Sequence, residues 1–253
     1  MTRYFIWLAY DGRAYHGWQV QPNGLAVQQV VEHALSTLLR QPTDIVGAGR
    51  TDAGVSADGM VAHFDTPTPL SQPNQLLRRL DRMLPQDIAA WRIETVCPNA
   101  HARFTATWRE YHYHITLRKE PLRRHFAWHV PFDPDFALMN EAARMLMDYQ
   151  DFTSFSKLHT DTKTNICHLT QAQWTELQPG CWQFNIRADR FLRGMVRAVV
   201  GTLLDVGRGR TSIPQMQAIV EKKNRCAAGQ NVPAYALTLH AVGYPDGIFL
   251  PPP

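Results

Sequence analysis

Apolar and polar residues follow one another along the first half of the chain in a pattern that predicts alternating strands and helices. Strands are indicated where the two classes alternate with a period of two, and helices where valine and leucine recur at a spacing of three or four. The predicted elements are a strand at 3–10, a helix at 26–40, short strands at 44–49 and 60–65, a helix at 70–84 and a strand at 88–96.

The second half repeats this order of elements without repeating the sequence. Its predicted elements are a strand at 108–117, a helix at 133–149, a hairpin of 165–177 and 181–188, helices at 191–207 and 212–224, and a closing strand at 235–244. Each half therefore has the ferredoxin-like order β-α-β-β-α-β. We predict an α+β fold in which two such halves, 1–105 and 106–253, share a central mixed sheet with helices on one face. The proline-rich tail 245–253 is expected to be extended.

The helix predicted from Phe191 has an apolar stripe and an opposite face that carries Arg193 and Arg197 beside Gly194 and Gly201. Small residues beside an arginine allow another backbone or a ligand to come close. A solvated basic face is the alternative interpretation, and this helix alone favours it.

Composition and charge narrow the class of protein. The chain has 253 residues with 45% hydrophobic and 19% charged residues, a net charge of +4 and four scattered cysteines, so neither a disulfide framework nor a zinc site is indicated. No apolar run is long enough to cross a membrane, and we expect a soluble cytoplasmic protein. Only five of the 26 basic residues are lysines. Arginine binds phosphates and stacks on bases, which favours a nucleic-acid partner, although genomic base composition also explains the bias.

The segment GRTDAGVSADG, residues 49–59, sets Arg50 and Asp52 between glycines. It lacks the third glycine of a dinucleotide fingerprint and the lysine of a P-loop, so phosphate binding is not indicated. A salt bridge that closes a hairpin is one interpretation. The other is chemical: an aspartate beside an arginine stays ionised, which suits a nucleophile and not a general acid. No second acid except Asp58 lies near, so an ordinary glycosidase is not indicated.

Other candidate sites are weaker. His112 and His114 share a strand face, as metal ligands can, but no third ligand is marked, and ordinary surface or core histidines are the alternative. Ser154 and Ser156 lack the glycines of a nucleophile elbow.

Five motifs in one order resemble the TruA family of tRNA pseudouridine synthases over nearly the whole chain. They are YDGRAYHGWQVQ (10–21), GRTDAGV (49–55), HARFTATWREYHYHI (101–115), DFTSF (151–155) and FLRGMVRAVVGTLLDVG (191–207). The resemblance implies an isomerase that converts uridine to pseudouridine at positions 38, 39 and 40 of the anticodon arm of tRNA. It also implies a homodimer without metal or nucleotide cofactor.

The resemblance assigns roles to four residues. Asp52 matches the family's catalytic aspartate, and Tyr111, Arg50 and Arg197 match its substrate-binding residues. By this resemblance Arg197, from the second half, is expected to pair with Asp52.

The sequence departs from the family pattern at a few positions. Ser56 stands where a histidine is usual, Arg193 and Gly194 replace common polar or aromatic residues, and Asp81 replaces an asparagine. Two rival functions stay open: an RNA-binding module that has lost catalysis, and a nucleoside hydrolase that releases the base.

Overall fold

The computed structural model of the chain describes residues 1–157 and 163–251 and contains two compact units. Unit 1 comprises Met1–Thr107 and Leu239–Pro253, and unit 2 comprises Trp108–Thr238. The first boundary lies close to the expected position near residue 105. The end of the last strand and the tail group with unit 1, whereas the sequence pattern assigns them to the second half.

Unit 1 is built on an antiparallel sheet with two helices. Its elements are β1 (Thr2–Tyr10), α1 (Val27–Leu39), β2 (Val46–Gly47), β3 (Ser56–Thr66), α2 (Pro73–Met83) and β4 (Ile88–Val96). The strand order is β4-β1-β3, and β2 pairs with β3. This is the ferredoxin-like arrangement that the chain order predicts.

The core of unit 1 is formed by β1, in which residues 4–8 are all buried, and by the apolar stripe of α1. Ile6 and Leu8 of β1 are fully buried, and so are Val31 and Leu35 on the apolar stripe of α1. The second helix, α2, buries only Leu76 and Leu80 and exposes its arginines. Its aspartate, Asp81, accepts a hydrogen bond from the backbone N–H of Ala90 at 3.0 Å. This departure from the family pattern thus ties α2 to the neighbouring strand.

Unit 2 has the same order of principal elements with two additions. Its elements are β5 (Trp108–Thr116), β6 (Trp128–His129), α3 (Phe136–Leu146), β7 (Leu169–Gln178), β8 (Cys181–Ala188), α4 (Met195–Gly207), α5 (Ile213–Glu221) and the start of β9 (Leu237–Gly243). The strand order is β5-β8-β7 in antiparallel pairs, and the short β6 pairs with β5 in parallel. The predicted α+β fold with a mixed sheet is confirmed.

Two predicted boundaries are wrong for local reasons. The helix expected from Phe191 begins as α4 at Met195, because Gly194 has a φ of 72°, which an α-helix does not allow. The tail is not wholly extended, since Asp246–Ile248 form one turn of 3-10 helix. The backbone of Cys97 donates to Ile248 O at 2.9 Å and that of Leu250 to Thr95 O at 3.0 Å, which fixes the tail on unit 1.

No helix within residues 1–157 and 163–251 is long and apolar enough to span a bilayer.

Candidate active site

Asp52 opens a tight turn in the loop between β2 and β3. The backbone N–H of Val55 donates to the carbonyl oxygen of Asp52 at 3.1 Å. Gly54, the third residue of the turn, has a φ of 80°, as a type II turn requires and as glycine permits. Asp52 and Gly54 therefore form a defined turn.

Two glycines of the segment that follows β1 lie against the same loop. A Cβ atom on Gly17 would lie 2.3 Å from the carbonyl oxygen of Thr51, and one on Gly12 would lie 2.0 Å from that of Val55. Only a residue without a side chain allows backbones to approach so closely. The loop is thus clamped on both sides of Asp52 by residues about forty positions earlier in the chain.

Buried hydroxyl groups complete the clamp. The hydroxyls of Tyr10 and Thr51, both buried, are hydrogen-bonded at 2.9 Å. Ser56 is also buried, and its Oγ accepts from the backbone N–H of Gly12 at 3.1 Å. Ser56, which replaces the usual histidine of the motif, therefore has a structural contact at the start of β3.

The loop exposes its two charged residues to different degrees. Asp52 is half-buried, whereas Arg50 is exposed. The turn that Asp52 opens is closed by backbone hydrogen bonding, and the salt bridge between Arg50 and Asp52 stays one interpretation of the pair.

Tyr111, the third predicted site residue, lies in β5 of unit 2. It pairs with Ile186 of β8, and its side chain is half-buried. Its ring meets the ring of Phe191 edge to face, with 5.2 Å between centroids and 89° between planes. The contact fixes the orientation of the tyrosine ring. The sequence pattern missed this role of Phe191 because it placed the residue inside a helix.

Arg197, the fourth, lies in the first turn of α4 and is half-buried. Its Nε donates to the carbonyl oxygen of Val232 at 2.7 Å. The segment that contains Val232 crosses α4, so that a Cβ on Gly201 would lie 2.0 Å from Gln230 O. The prediction that Gly201 admits another backbone is confirmed, and the interpretation of this face as a solvated basic face is wrong at Arg197.

The weaker candidates have structural partners in unit 2. His112 Nε2 lies 2.8 Å from Glu110 Oε1, and His114 Nε2 lies 2.8 Å from Gln183 Oε1. The Oγ of Ser154 donates to the carbonyl oxygen of a residue in α5 at 2.6 Å. These contacts agree with ordinary histidines that have hydrogen-bonding neighbours, and a metal role of His112 and His114 stays the less favoured interpretation.

The structure places Asp52 and Arg50 in unit 1, and Tyr111 and Arg197 in unit 2. Within unit 1 it adds the supporting residues that the sequence pattern did not single out, notably Gly17. The only sequence signal for them is the motif YDGRAYHGWQVQ, whose glycines are the ones that touch the loop.

Known proteins resemble this chain over almost its full length. A family model described as tRNA pseudouridine synthase matches residues 142–245. The chain is 54% identical to tRNA pseudouridine synthase A of Parabacteroides distasonis over 98% of both chains. It is 53% identical to the protein of that name from Bacteroides fragilis, over 98% of this chain and 99% of the relative. The identity to the Bacillus subtilis protein is 39%, over 94% and 97% of the two chains.

The similarity extends over 98% of the chain and therefore includes both units. The resemblance drawn from the motifs is confirmed, and with it the enzyme class, an isomerase. The chain belongs to the tRNA pseudouridine synthase A family.

Proposed function

We propose that the enzyme isomerises uridine to pseudouridine at positions 38, 39 and 40 in the anticodon arm of tRNA. It does so as a cytoplasmic homodimer, without a metal or nucleotide cofactor. The observation that carries the proposal is the clamped turn of unit 1, which holds a half-buried carboxylate, Asp52, at a fixed place in a loop. Family membership supplies the reaction that needs one such carboxylate.

The target uridine must leave the base stack before its ribose can be reached. Flipping costs a few kcal/mol, which contacts to the phosphates and to the base have to supply. Arg50 is exposed and is suited to hold the flipped backbone or to fill the space that the base leaves. The ring of Tyr111, held at its position by Phe191, stacks on the extruded uracil.

Asp52 then promotes cleavage of the bond between ribose C1′ and uracil N1. It acts either by attack on the ribose or by assisting a proton abstraction that gives a glycal. The freed uracil rotates and rejoins the ribose through C5. The C5 proton leaves to solvent and N1 gains a proton, so atoms and charge balance.

The pairing of Arg197 with Asp52 stays a prediction. Its support is that Arg197 is half-buried and held through Nε by Val232 O, a geometry that leaves its terminal nitrogens at a fixed position. A charge-assisted pair would orient the carboxylate. Arg197→Ala should lower turnover, because Asp52 loses the partner that orients it. Arg193→Ala, which changes an exposed arginine just before the same helix, is the control, and equal turnover of both variants would contradict the pair.

Release of tritium from C5 of uridine in tRNA tests the function. The enzyme should release tritium to water from tRNA with uridine at the three positions and not from tRNA with cytidine there. A binding module or a nucleoside hydrolase would leave the label on the base, and either result would overturn the proposal. Mapping of the pseudouridines then shows which of the three positions are modified, and sedimentation shows whether the protein has twice the mass of one chain.

A further inference from the structure

The loop between β4 and β5 holds an aromatic ring out in solvent. Phe104 in this loop is 76% exposed, compared with 51% for Trp91 and 43% for Phe126. Single exposed apolar residues are common on protein surfaces and need no explanation by themselves. The way in which the chain holds Phe104 is what sets it apart.

The backbone beneath Phe104 is fixed from two sides within unit 1. The N–H of Ala102 donates to His63 Nδ1 at 3.1 Å, and its carbonyl oxygen accepts from the hydroxyl of Tyr244 at 2.6 Å. Arg3 donates to the carbonyl oxygen of Ala100 at 2.9 Å. Ala102 is fully buried although it lies two residues from an exposed ring. The loop is therefore a rigid support and not a mobile connection.

The histidine that supports this loop is a stable acceptor. Burial, together with the charges of Arg3 and His101, lowers the pKa of His63 to about 4. His63 is therefore neutral at pH 7, and its Nδ1 keeps its lone pair for Ala102. The hydrogen bond that supports the loop is therefore present at pH 7.

The surroundings of the ring match those of a surface that stacks nucleobases. The ring of His101 lies 4.4 Å from that of Phe104, and the guanidinium carbon of Arg103 lies 5.5 Å from its centroid. Aromatic rings bind unpaired bases by stacking, and an arginine beside them attracts the neighbouring phosphates. No acidic residue occurs from Ala100 to Thr107 to oppose this.

This surface lies far from the proposed catalytic residue. His63 is seven residues after Ser56 in β3, where the catalytic loop ends. A rise of about 3.3 Å per residue separates the two by roughly 23 Å. The loop of Phe104 is thus supported at the end of β3 opposite to the catalytic loop, and we expect Phe104 to contact a part of the tRNA other than the reacting uridine.

We propose that His101, Arg103 and Phe104 form a stacking platform for an unpaired base of tRNA outside the anticodon arm. The platform rests on the proposed function, since it needs tRNA as the substrate. It acts on binding and not on the chemical step, so it is separable from the role of Asp52.

Substitution of Phe104 tests the platform. Phe104→Ala should weaken the binding of full-length tRNA about tenfold, the equivalent of about 1.4 kcal/mol. It should raise KM by a similar factor and leave kcat within about twofold. Phe104→Trp should restore binding because it restores stacking, whereas Phe104→Leu should not. Leu177→Ala, which removes another exposed apolar side chain on the other unit, should bind like the wild type.

Two substrates distinguish failure of the platform from failure of the function. An isolated anticodon stem-loop lacks the remote base, so the wild type and Phe104→Ala should bind it equally. Equal binding of full-length tRNA by both proteins would overturn the platform, and so would full rescue by Phe104→Leu. A halved molecular mass of Phe104→Ala would also overturn it, by showing that a second copy covers the ring. Absence of tritium release by the wild type is a separate result that would overturn the proposed function.

Discussion

The two units differ most at the place where the second and third strands of their repeated element order are joined. In unit 2, β7 and β8 are joined by Pro179 and Gly180 alone, and Gly180 has the positive φ of a tight turn. In unit 1, β2 is only two residues long, and the chain uses 48–55 as a loop before β3 begins. One order of elements thus gives a plain hairpin in one unit and the clamped loop of Asp52 in the other. The candidate site lies in the part of unit 1 that is not paired in the sheet, residues 48–55. Because these residues do not take part in strand pairing, they can form the turn of Asp52.

The largest expected difference concerns two glycines, Gly17, which lies against the loop 48–55, and Gly180, which lies within the turn between β7 and β8. Gly17→Ala should lower the free energy of unfolding by about 2–5 kcal/mol, because a φ of 88° strains any side chain and its Cβ would lie 2.3 Å from Thr51 O. Gly180→Ala has similar backbone strain, but its nearest neighbour is Leu117 Cβ at 3.9 Å, so a cost of about 1 kcal/mol is expected. Denaturant unfolding measures both. Equal costs would show that the clamp does not hold the loop.

As the pH falls, the stability contributed by His63 of unit 1 should be lost at a higher pH than that contributed by Glu110 of unit 2. Burial, helped by Arg3 and His101 and opposed by Asp65, lowers the pKa of His63 from 6.5 to about 4. Between these two values, His63 is protonated in the unfolded chain but stays neutral in the folded chain. Stability from this source is complete above pH 6.5 and is lost as the pH falls to about 4, by up to about 3 kcal/mol. His63→Gln should flatten this part of the stability curve.

In unit 2, the titratable residue that we compare with His63 is Glu110. Burial raises its pKa, but hydrogen bonds with His112 and Arg187 outweigh burial and hold it below the ordinary value of 4.5. Its contribution is complete above pH 4.5 and is lost only as the pH falls further. Glu110→Gln should therefore leave the slope between pH 6.5 and 4.5 unchanged. Denaturant titrations at several pH values measure both, and a slope that is unchanged in His63→Gln would contradict the account.

The smallest expected effects come from one hydroxyl in each unit. Tyr10→Phe removes the bond to Thr51, and Tyr113→Phe removes a bond of 3.1 Å to Pro233 O. Each should cost about 1 kcal/mol of stability. Tyr10→Phe should in addition lower turnover, since Thr51 is next to Asp52. Stability and tritium release measured on both variants check this, and equal turnover would separate the hydroxyl clamp from catalysis.

Strands and helices with a strong pattern could be predicted closely from the sequence. The bounds of β4 and β8 agree with the predicted strands at 88–96 and 181–188. The start of β3 could not, because 56–59 has no apolar alternation and is drawn into the sheet by the pairing of Tyr10 with Ala57. Tertiary contact there overrides local preference.

The residues of the candidate site could be predicted from the sequence, but the contacts that hold them in place could not. Asp52 and Arg50 stand in a motif that can be read from the sequence, whereas the approach of Gly17 to their loop joins positions far apart in the chain. Arg197 likewise could be assigned from its motif, but its bond to Val232 O depends on a segment that has no helix or strand pattern. Such contacts depend on tertiary folding, which periodicity does not encode.

The central claim is that the carboxylate of Asp52 carries the reaction, and one substitution tests it most directly. Asp52→Asn keeps the size of the side chain and the backbone turn but removes the charge. The matched control is Asp58→Asn, an exposed aspartate in the adjacent strand that pairs with His240 at 3.1 Å. We predict that Asp52→Asn lowers tritium release from tRNA by at least about a thousandfold and leaves tRNA binding within a few-fold, while Asp58→Asn stays within about threefold of the wild type. Release by Asp52→Asn within tenfold of the wild type would contradict the account.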